Sequence, residues 1–74
     1  MTEALIKLIK ERRRALGLTQ SELADRAGVG LRFIRELEQG KASLRLDKIN
    51  QVIALFGHRM EPVAFNIEAD DEES

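Results

Sequence analysis

Between Leu31 and Arg45 the chain concentrates side chains that grip anions and read hydrogen-bond edges: Arg32, Arg35, Glu36, Gln39, Lys41, Ser43 and Arg45. An arginine guanidinium presents a planar fork of donors that pairs bidentately with a carboxylate, a phosphate, or the O6 and N7 of guanine. A glutamate accepts from an amine such as cytosine N4, or orients a neighbouring arginine. Covalent chemistry finds much less to work with. Ser21 and Ser43 have no histidine partner at helical spacing, so a nucleophile–base pair has no support. His58 is the only histidine and there is no cysteine, so neither a metal site nor a disulfide framework is expected. No glycine-rich loop cradles a phosphate. The inventory is that of a non-enzyme without metal or cofactor.

These polar residues work together only if a helix presents them. Ile34 and Leu37 define a buried direction. At about 100° per residue, Arg32, Arg35, Glu36 and Gln39 fall on the opposite half, with Leu31 and Phe33 on the flanks. A helix over about Leu31 to Gln39 follows, stopped by Gly40. An earlier helix opens with Thr19-Gln-Ser-Glu22, a capping box in which Thr19 caps and Glu22 reaches back, and ends near Arg26. A turn of about four residues centred on Gly28 joins the two. Leu23, Ala27, Val29, Ile34 and Leu37 supply apolar contacts, and Ala24 is small where the helices cross. This is a helix-turn-helix pattern, whose second helix lies in the DNA major groove. The plainer alternative is a helical hairpin inside a bundle.

Two further helices complete the set. Leu5, Leu8, Ile9 and Leu16 share a stripe over about Thr2 to Leu16, with Thr2 as cap and Gly17 as stop. Leu46, Ile49, Val52, Ile53 and Phe56 recur at i, i+3, i+4 over about Arg45 to Phe56. After Gly57 the period changes: Val63, Phe65 and Ile67 alternate with Ala64 and Asn66, a strand pattern. Pro62 cannot donate to a ladder, so this is an edge strand. The expected fold is all-α, a compact bundle of four to five helices with a helix-turn-helix, plus a C-terminal β-strand. Residues 1–57 form the DNA-binding domain, 58–67 the dimerisation strand and 68–74 a disordered acidic tail.

At face value the formal net charge of −1 argues against a polyanion partner. It is a sum over two regions. Glu68, Asp70, Asp71, Glu72 and Glu73 give the tail −5, while residues 1–67 hold all twelve basic residues against eight acidic ones, a net of +4. A basic body with an acidic tail keeps nucleic acid open as a partner. The tail reads as a solubilising end, as a contact for a basic partner, or as a brake on non-specific DNA binding. No apolar run approaches the roughly 20 residues of a membrane span, and Glu3, Lys7 and Lys10 break any signal-peptide core. A cytoplasmic, nucleoid-associated protein is the default expectation. With 74 residues the core is thin, because a domain of about 60 residues buries only about 60% of its unfolded-chain surface. Oligomerisation is the expected support.

Leu18-Thr-Gln-Ser-Glu-Leu-Ala24, Ala27-Gly-Val29 and Ile34-Arg-Glu-Leu-Glu-Gln-Gly-Lys41 resemble the Cro/cI-type (XRE) helix-turn-helix regulators, which have a lambda-repressor-like fold. The similarity covers roughly residues 5–57. Arg32-Phe-Ile-Arg-Glu-Leu-Glu-Gln-Gly-Lys41 and Arg45-Leu-Asp-Lys-Ile-Asn-Gln-Val-Ile-Ala-Leu-Phe-Gly57, followed by a short strand, are more narrowly similar to HipB-type antitoxins. The resemblance implies a repressor that binds a palindromic operator in double-stranded DNA as a homodimer. It further implies that the repressor neutralises a HipA-type kinase toxin. Alternatives are a stand-alone phage-type regulator and a protein-interaction module without DNA binding.

Residue roles follow from the wheel and the resemblance together. Arg32 and Arg35 are base-contact candidates; the alternatives are a plain exposed arginine or a phosphate clamp for Arg32, and a phosphate contact for Arg35. Glu36 and Leu31 join them, Leu31 against a thymine methyl or else in the core. Gln20 contacts a phosphate by resemblance, and Gln39, Lys41, Ser43 and Arg45 are phosphate candidates. In the resembling regulators an arginine of the first helix pairs with a glutamate at the end of the recognition helix, which here means Arg13 and Glu38. Val63, Phe65 and Ile67 pair with their copies across the dimer, or else fold back on their own helices.

Overall fold

Thr19 sets the start of the central unit. Its backbone is extended, its hydroxyl accepts from the Glu22 N–H at 3.1 Å, and its own N–H donates to Glu22 Oε1 at 2.9 Å. This reciprocal cap satisfies two donors at the helix entrance. In the computed structural model, which describes residues 3–41 and 44–64, four helices follow one another. They are α1 (Glu3–Ala15), α2 (Gln20–Ala27), α3 (Leu31–Glu38) and α4 (Leu46–Ala54). Gly28 ends α2 in the left-handed conformation at φ 73°, and the Val29 N–H returns to Ala24 O at 3.0 Å. A Cβ-bearing residue adopts that conformation only at a cost, so the glycine fixes the sharp turn between α2 and α3.

The core draws on all four helices: Leu5 and Ile9 from α1, Leu23, Ala24 and Ala27 from α2, Ile34 and Leu37 from α3, and Ile49, Val52 and Ile53 from α4. Ala24 is buried where α2 meets α3, so its small side chain lets the backbones approach. Fully burying one of the larger aliphatic side chains contributes roughly 1.5–3 kcal/mol.

Three expectations need correction. Leu16, which the spacing puts on the α1 stripe, is 56% exposed. The helix stops at Ala15 and the chain reverses at Gly17, where the Leu18 N–H bonds back to Arg13 O at 3.0 Å. Leu18 thereby enters the core in place of Leu16. Leu46 is likewise 56% exposed, because it opens α4 and Leu44, just upstream, packs against the core. The C-terminal strand is not formed over its described part. Residues 58–64 have no regular structure, and Val63 is 81% exposed. The Met60 N–H donates to Asn50 Oδ1 of α4 at 2.8 Å, a side-chain bond and not a ladder bond. Among the described residues no neighbouring strand is available to satisfy the backbone. Thr2, Ser43, Phe65, Ile67 and the acidic tail lie outside the described residues.

Candidate nucleic-acid interface

α3 is held from behind by a buried ion pair. Arg13 Nε donates to Glu38 Oε2 at 2.7 Å and Arg13 Nη2 to Glu38 Oε1 at 3.0 Å. The third guanidinium nitrogen, Nη1, donates to Leu18 O at 3.0 Å, and Gln20 Nε2 donates to Glu38 Oε1 at 3.3 Å. The side chains are only 14% and 4% exposed. A planar guanidinium matches a carboxylate in this two-point geometry, where a lysine would make a single contact. The cluster ties α1, the α1–α2 connection, the start of α2 and the end of α3 together. It fixes the angle at which α3 leaves the body.

With Ile34 and Leu37 fully buried, the opposite side of α3 faces solvent. Arg32, Arg35 and Gln39 are exposed there, and Glu36 is half-buried. Leu31 and Phe33 are also half-buried and pack against the core edge. α3 enters from Gly30 without a side-chain cap. At its far end Gly40 has φ 79°, and a Cβ there would lie 2.9 Å from Ile6 Cδ1. Glycine thus lets the chain pass close to α1 and brings Lys41 beside α3, where its N–H bonds to Glu36 O at 3.1 Å.

Most of the charged groups on this face are partnered with one another. Glu36 Oε1 accepts from Arg32 Nε at 3.2 Å and from Lys41 Nζ at 3.3 Å. The Lys41 hydrogen bond, aided by the charges of Lys41 and Arg32, holds the Glu36 carboxyl below its ordinary pKa. Arg45, just ahead of α4, donates from Nε and Nη2 to the Asp47 carboxylate at 3.1 and 2.6 Å. That bond holds Asp47 below the usual carboxylate range. Lys48 Nζ lies 5.8 Å from the centre of the Phe33 ring, within cation–π range. Among the described residues Arg35 has no ion-pair partner.

The candidates therefore separate into groups. Arg32, Arg35, Glu36 and Lys41 come together on and beside α3, and Arg45 follows at the start of α4. Gln20 is turned onto Glu38. Ser43 lies outside the described residues. Asp47 and Lys48 were missed as functional candidates. The Arg32–Glu36 spacing of four on a helix signals its own ion pair, whereas nothing in the pattern around Arg45 distinguishes Asp47 from a solvated cap residue. Chemically the surface offers cationic side chains to an anion, and no nucleophile–base pair lies among its described residues. Among the described residues no group of three or more His, Cys, Asp or Glu is placed to hold a metal. None of the described helices is long and apolar enough to cross a membrane.

Comparison with known proteins follows the same lines. A helix-turn-helix family model matches residues 9–59, which include α2, the Gly28 turn, α3 and α4. An uncharacterised HTH-type transcriptional regulator of Sinorhizobium fredii is 39% identical over 61 residues, spanning 82% of this chain and 76% of its own length. A second uncharacterised HTH-type transcriptional regulator, from Methanothermobacter thermautotrophicus, is 38% identical over 63 residues, spanning 85% of this chain and 91% of its own length. No solved structure matches.

Proposed function

The chain belongs to the helix-turn-helix family, and from that premise we propose that it is a dimeric, sequence-specific DNA-binding repressor with α3 as its recognition helix. One observation carries this reading: the buried Arg13–Glu38 pair anchors α3 while Arg32 and Arg35 remain exposed on its far side. A rigidly held helix with an outward cationic face suits the major groove. Arg32 and Arg35 meet base edges. Leu31 meets a thymine methyl. Glu36 either accepts from a cytosine amine or orients Arg32. Gln20, Gln39, Lys41, Ser43 and Arg45 grip phosphates. Gln20 can serve without leaving Glu38, because its amide carries a second donor. Val63, Phe65 and Ile67 pair across a two-fold axis, which places two recognition helices about 34 Å apart, one turn of DNA.

Gel-shift selection over random duplexes tests the reading. The expected outcome is a palindromic consensus whose half-sites are one turn apart. Selection without any preferred sequence would end it.

Within this reading the repressor is the antitoxin of a pair that autoregulates its operon and neutralises a HipA-type kinase. The support is the similarity of segments 32–41 and 45–57 to HipB-type antitoxins. Co-purification from the native host, with identification of bound protein and DNA, is the test. A kinase-like reading frame beside the gene supports the antitoxin. Its absence favours a stand-alone regulator, the second reading.

A further inference from the structure

The outward face of α3 and the start of α4 are not a bare cationic surface. Three cations of the proposed DNA face are already held by two carboxylates. Glu36 takes Arg32 and Lys41 on a single oxygen, at 3.2 and 3.3 Å. Asp47 takes Arg45 on both of its oxygens. At Glu36 the partners differ sharply in exposure: Arg32 is 90% exposed at its side chain and Lys41 57%, while Glu36 between them is 24% exposed. There the carboxylate is seated and the cations reach in from solvent, whereas Arg45 and Asp47 are both exposed, at 68% and 61%. These five side chains sum to +1, where the three cations alone would sum to +3. Charges paired at about 3 Å are well inside the screening length of roughly 8 Å at physiological salt, so an approaching phosphate meets the pair and not the isolated cation.

We propose that Glu36 and Asp47 are charge masks. Each stands in for a phosphate in the free protein, keeps Arg32, Lys41 and Arg45 paired, and so suppresses binding to arbitrary DNA. A duplex of the right sequence offers base edges and phosphates together and draws the cations off both carboxylates, so that Glu36 no longer holds Arg32 and is free to accept from a base. A random duplex offers the same phosphates without the matching base edges. Exposed ion pairs are individually weak, which suits a mask: it is exchanged readily for a full set of partners, yet it subtracts from the gain of a non-specific complex. Non-specific affinity is almost wholly electrostatic, so it is the quantity that a mask controls. Arg35, which has no carboxylate partner among the described residues, is left as the cation of first encounter.

This proposal rests on the DNA-binding reading above, and the experiment separates the two. Binding of the full chain to a random-sequence duplex and to the selected operator is followed by fluorescence anisotropy across a salt series. The proteins are the parent, Glu36→Gln, Asp47→Asn, the double variant and Arg35→Ala, each checked by thermal unfolding for an intact fold. Glu36→Gln is expected to tighten random-duplex binding by about threefold to tenfold and to steepen the salt slope by about 1.8, as two cations become available to phosphate. Asp47→Asn is expected to steepen it by about 0.9, for one. The operator-to-random ratio falls in both, and most in the double variant. The mask is overturned, with DNA binding intact, if both variants bind random DNA no more tightly than the parent and with unchanged slope. Glu36→Gln losing operator affinity at one base position, without gain on random DNA, identifies a base contact and also overturns it. No binding of any protein to any duplex, even at low salt, overturns the DNA-binding reading and the mask with it.

Discussion

Glu38 is the residue on which the orientation of α3 depends. Its carboxylate is 4% exposed, and three donors from Arg13 and Gln20 reach it. Arg13→Ala removes two of those donors and leaves the charge buried. The expected loss is about 3–5 kcal/mol, which is most of the stability of a small domain. Urea unfolding measures it directly. Replacing both partners by apolar residues of similar volume should recover much of the loss, since the double change strands no charge. The exposed face of α3 behaves differently. Arg32→Ala should leave stability nearly unchanged, yet relax base preference at one position per half-site by about 1–3 kcal/mol. Lys41→Ala should weaken all sequences about equally. Competition among single-base operator variants tells the two apart, and a pure interaction module would show neither effect.

Helix ends, more than helix interiors, set the short elements here. α2 has eight residues, too few to persist alone, and its cap contributes a substantial share of its local stability. Thr19→Ala should cost about 1 kcal/mol. The same cap predicts a pH dependence. The Thr19 backbone N–H, then the Thr19 hydroxyl and the charge of Arg26, lower the Glu22 pKa from its ordinary 4.5 in the folded state. A depressed folded pKa contributes stability that is present above the unfolded value and is lost as pH falls through the folded value. Glu36 and Asp47 shift in the same direction, under Lys41 and Arg45 respectively. The melting temperature should therefore drop below about pH 4.5, and Glu22→Gln should make that drop shallower. A melting series between about pH 3 and pH 6, parent against variant, shows the difference.

At the scale of the whole molecule the apolar surface left outside the core becomes informative. Leu16, Leu55 and Val63 are 56%, 43% and 81% exposed, much beside the eleven buried apolar residues among those described. Burying such residues in a second copy fits the proposed dimer. In that case stability rises with protomer concentration, and Val63→Asp should shift the monomer–dimer equilibrium toward monomer in sedimentation velocity. Charge is also a whole-molecule property. The −5 of residues 68–74 repels phosphate, so a chain ending at Ile67 should bind random DNA at least as tightly as the full chain in filter binding at low salt. Weaker binding would assign the tail a role beyond its charge.

Much of the fold was legible because its determinants are local. The capping box at Thr19 and Glu22, the left-handed turn at Gly28, and the opposition of Ile34 and Leu37 to Arg32 and Arg35 all act within a few residues. The periodicity of the chain was therefore enough to locate the helix-turn-helix and the outward face of α3. What periodicity does not carry is where the backbone goes between helices. Leu16 and Leu18 are both leucines beside Gly17, and only the reversal of the chain decides that Leu18 is buried and Leu16 is not. The pairing of Asp47 with Arg45 and the approach of Lys41 to Glu36 depend on the path after Gly40, which the contact of that glycine with Ile6 constrains. By itself the sequence determined the helices, their caps and their polar faces, since these are short-range matters of propensity and spacing. Tertiary structure decided which cations are already held by carboxylates, because electrostatic pairing depends on distance in space and not on separation along the chain.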